Sequence, residues 1–209
     1  MVSKSGQIAA VLLCVGMLAG CTGAVPTGSA GQASPPAASG PASTAAPLPS
    51  PSASLSDAAQ IPGVVLFRNE AAHVKGPVVY AQIPPVGGAH SATWLNCGIY
   101  TEAVPNENAV HDLEHGAVWV TYDPTLAASE VEKLRELLPP THTLISPYSG
   151  MSSPIVISAW NAQLMVTTAS DPRLAQFITQ YRNSATAPEP GAPCTGGLDA
   201  PGRLRSSTA

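Results

Sequence analysis

Residues 106–122 read NENAVHDLEHGAVWVTY, and they join a helix pattern to a strand pattern with no linker between them. Asn106 is a residue type that caps helix N-termini. Gly116 can end the helix, because glycine adopts the left-handed conformation that closes a last turn. Apolar residues then alternate, so that Trp119 faces the opposite side from its neighbours in the chain. The stretch therefore predicts a short helix that leads straight into a strand over 117–122.

The rest of the sequence predicts two more helices and several strands. Ser129 and Glu132 have the spacing of a capping box, which predicts the start of a helix that continues to Leu138. Asp171 and Pro172 suit the N-cap and the first position of another helix. Short apolar runs predict strands over 64–67, 77–82, 143–147, 155–160 and 163–168.

Two or three amphipathic helices interleaved with these strands predict an α+β fold. We expect the helices to pack on one face of a largely antiparallel sheet. The order of the strands does not follow from the sequence. By its length, the region 61–198 is expected to form a single globular domain, and residues 199–209 are expected to form a disordered tail.

The N-terminus has the pattern of a lipoprotein signal peptide. Lys4 precedes an apolar run over 8–18, which is too short to cross a bilayer as a stable helix. The run ends in LAGC at residues 18–21, where small residues precede a cysteine that can accept a diacylglycerol group. The sequence therefore predicts a signal peptide over residues 1–20 and lipidation of Cys21.

Residues 21–60 consist almost wholly of alanine, proline, serine, glycine and threonine after the first cysteine. Such a segment cannot bury enough apolar surface to offset its chain entropy, so we expect a disordered tether. The acyl chains would then be the membrane anchor. These features predict a protein attached to the extracytoplasmic face of the cell membrane.

Charge and composition limit the partners. The formal net charge is −4 at neutral pH, and the few basic residues are scattered along the chain. A nucleic-acid partner is therefore not expected. The expected partners are the membrane, through the lipid, and an envelope protein.

Two cysteines remain after cleavage and lipidation, namely Cys97 and Cys194. A lone pair in an oxidising compartment usually forms a disulfide, and we favour this interpretation. The alternative makes Cys97 a metal ligand and leaves Cys194 free.

The candidate chemistry lies in the histidines. His111 and His115 are four positions apart on the predicted helix, so both imidazoles share one face and can bind one transition-metal ion. His90 follows a flexible Gly-Gly turn and can close on them, and Met151 offers a soft thioether. Three imidazoles and a thioether favour copper, particularly Cu⁺, whereas three imidazoles with water or a carboxylate favour zinc. The remaining histidines, His73 and His142, are expected to lie outside the site.

Two other functions are compatible with these histidines. His115, which precedes Gly116, could instead donate to the carbonyl groups at the helix end, which would make the histidines part of a purely structural envelope module. The run HDLEH also matches the inverted zincin pattern, in which Glu114 would act as general base of a zinc hydrolase. Serine-hydrolase and thioredoxin-like motifs are absent from the sequence. An enzymatic role is left open, and a binding role is preferred.

Several motifs resemble the bacterial family named domain of unknown function 3105, and its actinobacterial lipoproteins in particular. They are PPVGGAH at 84–90, WLNCGIY at 94–100, AVHDLEHGAVW at 109–119, SPYSGM at 146–151, SAW at 158–160 and PEPGAPC at 188–194. The resemblance implies an envelope location and histidines at positions 90, 111 and 115, but no established activity. Residues and resemblance together predict a lipid-anchored protein that binds, senses or delivers copper.

Overall fold

The computed structural model describes residues 60–204. The predicted signal peptide, Cys21, the tether up to residue 59 and residues 205–209 lie outside this range. Among the described residues, no helix is long and apolar enough to cross a membrane.

A seven-stranded sheet forms the centre of the domain, beside a parallel pair of short strands. In the large sheet, β5 pairs with β6 and β6 with β4 in parallel, and the other pairings are antiparallel. The strands are β1 Val65–Leu66, β2 Ala72–Val74, β3 Ala89–Ser91, β4 Gly98–Tyr100, β5 Val118–Tyr122, β6 Thr143–Pro147, β7 Ile155–Ala159, β8 Ala162–Val166 and β9 Arg203–Leu204. The order in the large sheet is β1-β8-β7-β5-β6-β4-β9, and β2 pairs with β3.

Three helices complete the α+β fold, and they are α1 Asn106–Glu114, α2 Ala128–Leu137 and α3 Pro172–Tyr181. The predicted N-cap of α3 is confirmed, because the Asp171 carboxylate accepts a hydrogen bond from the Arg173 N–H at 2.9 Å. The predicted capping box of α2 is wrong: Ser129 lies inside the helix, whose N-cap, Ala127, has no side-chain hydrogen bond. Asn106 is likewise the first helical residue rather than the cap.

The helices lie on both faces of the sheet rather than on one face, as the sequence had suggested. Val118 and Val120 belong to an apolar cluster that contains Leu134 of α2 and Phe177 of α3. Trp119 belongs to a second cluster on the opposite face, with residues of α1. Because neighbouring residues of a strand face opposite sides, β5 is covered from both sides. It is buried along its whole length.

A predicted strand and a predicted domain boundary also differ from the structure. The segment 77–82 contains no strand and runs irregularly, with Val79 fully exposed. The domain extends beyond the predicted boundary at 198, since β9 pairs with β4 as an edge strand. Residues 199–204 are therefore part of the domain and not of a tail.

Gly116 fixes the angle between α1 and β5. Its φ is +89°, a conformation that glycine adopts readily. A Cβ at this position would lie 3.0 Å from the Cα of Asn183, and the Gly116 carbonyl accepts the Asn183 N–H at 2.8 Å. This close contact holds the end of α1 against the segment that follows α3.

Cys97 and Cys194 form a disulfide, as predicted, with their Cα atoms 5.3 Å apart. The Cys97 N–H also donates to the Cys194 carbonyl at 2.8 Å. The bond fastens the C-terminal segment to the start of β4. The alternative in which Cys97 is a metal ligand and Cys194 is free does not hold in this structure.

We expect Cys97→Ser/Cys194→Ser to lower the free energy of unfolding by about 2–5 kcal/mol, the usual effect of removing a native disulfide from a small domain. Urea denaturation of the variant and of the unreduced wild type measures the difference. Free alkylation of both cysteines in the native, unreduced protein would contradict the assignment.

Candidate metal centre

At the C-terminal end of α1, one face of the helix carries three polar side chains that are almost fully buried. His111, Glu114 and His115 are 3–4 % exposed, and their spacing places them on one face of the helix. Burial of polar groups is costly unless they have partners. The partners come from β2 and β3 on one side and from the C-terminal segment on the other.

The short parallel pair places two more histidines beside Glu114. His73 of β2 and His90 of β3 stand opposite each other in register. The Nε2 atoms of His90 and His73 lie 2.9 and 3.3 Å from the same oxygen, Oε2 of Glu114. The His111 Nε2 atom is 3.9 Å from that oxygen. We call His73, His90, His111 and Glu114 the primary cluster.

His115 belongs to a neighbouring group. Its Nε2 atom is 2.9 Å from Nε2 of His111 and 3.7 Å from Oε2 of Glu189. We call Glu114, His115 and Glu189 the second group. In each of the two sets, one ligand atom from every residue lies within 4.8 Å of the others. Glu114 is common to both.

Three histidine rings are fixed by backbone carbonyl groups. The Nδ1 atoms of His90, His111 and His115 each lie 2.7 Å from a carbonyl oxygen, belonging to Gly88, Ser91 and Pro193 respectively. A carbonyl oxygen only accepts, so each Nδ1 carries the proton and donates it. In the neutral ring, the Nε2 lone pair is then free and is directed into the cluster. This second-sphere contact is the one that orients metal-ligating histidines.

When these rings are neutral, their inward Nε2 atoms therefore carry no protons to share. Two Nε2 lone pairs face each other between His111 and His115, and another faces the Glu114 carboxylate. A cation between these atoms would remove the repulsion. A proton is disfavoured at His111, because burial lowers the pKa of this imidazole. Burial, together with the smaller lowering effects of His115 and His90, outweighs the Ser91 hydrogen bond and Glu114, which raise the pKa.

One side of the primary cluster is open to solvent. The side chain of His73 is 47 % exposed, whereas those of His90 and His111 are 0 % and 4 % exposed. The partly buried ring of Trp94 covers another side, with its centroid 5.6 Å from that of His111 and 5.2 Å from that of His115. An ion could therefore reach the cluster past His73.

Asp112 of α1 lies beside the disulfide. Its carboxyl is fully buried, and burial raises its pKa well above the ordinary value. Oδ2 accepts the Leu95 N–H at 3.3 Å, and Oδ1 has no hydrogen-bond partner. A carboxylate oxygen of Asp112 lies within 4.8 Å of the sulfur atoms of Cys97 and Cys194. Both sulfur atoms are bonded to each other in the disulfide, so they are not free to bind a metal ion.

The structure brings His90, His111 and His115 together, but it excludes Met151 from their neighbourhood. Met151 lines a surface depression with Asp123 and Thr125, just beyond the C-terminal end of β5. His115 precedes the N-terminal end of the same strand. The two ends of this five-residue strand are roughly 13 Å apart. The prediction of Met151 as a ligand is therefore wrong for this structure.

Three ligand candidates were missed from the sequence, namely His73 and Glu114 of the primary cluster and Glu189 of the second group. His73 was expected to lie outside the site, yet β2 places it beside Glu114. Glu114 was considered only as a general base, whereas it contacts two imidazoles. The i, i+3 spacing of His111 and Glu114 was a signal for the second residue. His142 lies outside both sets, as expected, with Nε2 donating to the Ala192 carbonyl at 3.0 Å.

The primary cluster has the donors to hold a metal ion, because imidazole nitrogens and a carboxylate oxygen are ligands for zinc, copper and related transition metals. The geometry alone does not select among these ions.

Comparison with known proteins places the chain in one family. No curated protein and no solved structure matches it. The sequence profile of the family described as Protein of unknown function (DUF3105) matches residues 73–196. The match begins at His73 and includes both ligand sets and both cysteines of the disulfide. The chain belongs to the DUF3105 family.

Proposed function

We propose that the protein is an extracytoplasmic, lipid-anchored metal-binding protein that binds, senses or delivers copper. The observation that carries this proposal is the convergence of the Nε2 atoms of His73, His90 and His111 on the Glu114 carboxylate. Buried groups of this kind would repel one another without a cation. The primary cluster is the proposed ligand set.

The donor set favours a divalent ion. Without Met151, the primary cluster offers three nitrogens and a carboxylate, with no soft sulfur donor that would select Cu⁺. Among divalent first-row ions, Cu²⁺ generally binds nitrogen and oxygen ligands most tightly, with Zn²⁺ below it. We therefore propose Cu²⁺, with Zn²⁺ as the alternative.

A binding role fits the cluster better than the zinc-hydrolase hypothesis. A general base must be free to take a proton from water, but Oε2 of Glu114 already faces His73 and His90. The exposed position of His73 gives an ion a route to exchange with solvent or with a partner protein. Exchange of this kind is what sensing and delivery require.

We expect His90→Ala and His111→Ala each to weaken Cu²⁺ and Zn²⁺ binding by more than about 100-fold, because loss of a direct ligand costs more than the 10–100-fold typical of a second-sphere partner. Isothermal titration of the purified protein measures the affinities, and circular dichroism checks the fold. His73→Ala should weaken binding less, since its side chain is half-exposed.

Two variants serve as controls for this experiment. His142→Ala removes a histidine outside both sets, and Met151→Leu removes the thioether that the sequence suggested as a ligand. Neither should change the affinity for either ion. If the wild type takes up no metal, or if His111→Ala binds as the wild type does, the histidines have a structural role and the proposal fails.

Membrane attachment is the second part of the proposal, and it rests on the LAGC pattern at 18–21. The mature protein should begin at an acylated Cys21, because this thiol follows the small residues that a lipoprotein signal peptidase requires. Intact-mass analysis of the membrane fraction tests this. Cys21→Ala should abolish the lipid-bearing species, and a native protein that begins at another residue without lipid would contradict the anchor.

A further inference from the structure

We propose that the site binds two metal ions, with the second held by Glu114, His115 and Glu189. This inference rests on the proposed function, since it adds an ion to the one in the primary cluster. Glu114 would bridge the two positions. Three observations support the second position, namely the number of donors, the hydrogen bonding of His115 and the placement of Glu189.

More donors face this space than one ion needs. The primary cluster already offers four ligand atoms, which is the number that a closed tetrahedral zinc site uses. The nitrogen of His115 and a carboxylate oxygen of Glu189 remain, within 4.8 Å of a Glu114 oxygen. A carboxylate has two oxygens, so Glu114 can bind one ion with each. Two-metal sites commonly hold their ions about 3.5–4 Å apart.

His115 has the features of a ligand rather than of a surface histidine. Its side chain is 4 % exposed, and Nδ1 donates to the Pro193 carbonyl at 2.7 Å. The inward Nε2 atom therefore carries a lone pair in the neutral ring. Its two neighbours are Nε2 of His111 and Oε2 of Glu189, and neither has a proton to give. The first ion would take the lone pair of His111, and a second cation would satisfy His115 and Glu189.

Glu189 is held at the site by its backbone, although its side chain is 56 % exposed. The Glu189 N–H donates to the Glu114 carbonyl and the Gly191 N–H to the His115 carbonyl, both at 3.0 Å. The disulfide at Cys194, three residues after Gly191, fastens the same segment. The carboxylate therefore reaches the end of α1 from a fixed main chain.

Titration of the metal-free full-length protein with CuCl₂, with bound copper measured by elemental analysis after dialysis, tests the second position. The wild type should bind two Cu²⁺ per chain, while Glu189→Gln and His115→Ala should each bind one. Glu136→Gln, which neutralises an exposed glutamate of α2 outside both ligand sets, should still bind two. Electron paramagnetic resonance gives an independent measure: the integrated Cu²⁺ signal of the doubly loaded wild type should be reduced by coupling, and Glu189→Gln should restore an isolated signal.

The outcomes separate this inference from the proposed function. One ion in both the wild type and Glu189→Gln would overturn the second position and leave the primary site intact. One ion in the wild type and none in His115→Ala would also overturn it, because His115 would then belong to a single mononuclear site. No ion in the wild type would overturn the proposed function itself, and the second position with it.

Discussion

The centre depends on three hydrogen bonds from histidine Nδ1 atoms to backbone carbonyl groups. The acceptors, at Gly88, Ser91 and Pro193, belong to the loop before β3, to β3 itself and to the C-terminal segment. Each bond fixes one tautomer and so directs an Nε2 lone pair inward. Three parts of the chain, namely α1, the segment around β3 and the C-terminal segment, must therefore be in place before the inward nitrogens can meet the carboxylate of Glu114.

The rest of the fold serves this arrangement. Pro193 directly precedes Cys194, so the disulfide keeps the Pro193 carbonyl beside α1. The contact between Gly116 and Asn183 sets the end of α1 where the buried polar side chains converge. Apolar residues on both faces of β5 then enclose the sheet that supports α1. Burial has a chemical consequence as well, since it lowers the pKa of His111 and keeps that ring neutral for ligation.

Local signals in the sequence predicted what depends on neighbouring residues. The helix before Gly116, the strand after it and the Asp171 cap of α3 follow from short-range patterns, as does the shared face of His111 and His115. His73 escaped prediction because its position depends on a parallel pairing of β2 with β3, which no local pattern encodes. The position of Met151 was wrongly predicted for the same reason. The order of the strands in the sheet decides at which end of β5 the turn with Met151 lies, and no local pattern encodes that order. The helices were assigned to one face, although Trp119 and its neighbours already pointed to two apolar surfaces.

X-ray absorption spectroscopy of the Cu²⁺- and Zn²⁺-loaded protein tests the central claim most directly, because it reports the atoms bound to the ion. Histidine nitrogens and carboxylate oxygens should give a shell at about 2.0–2.1 Å, together with the outer-shell scattering of imidazole. Met151 and the disulfide should contribute no sulfur shell at about 2.3 Å. A sulfur shell, or a first shell without imidazole scattering, would contradict this account of the centre.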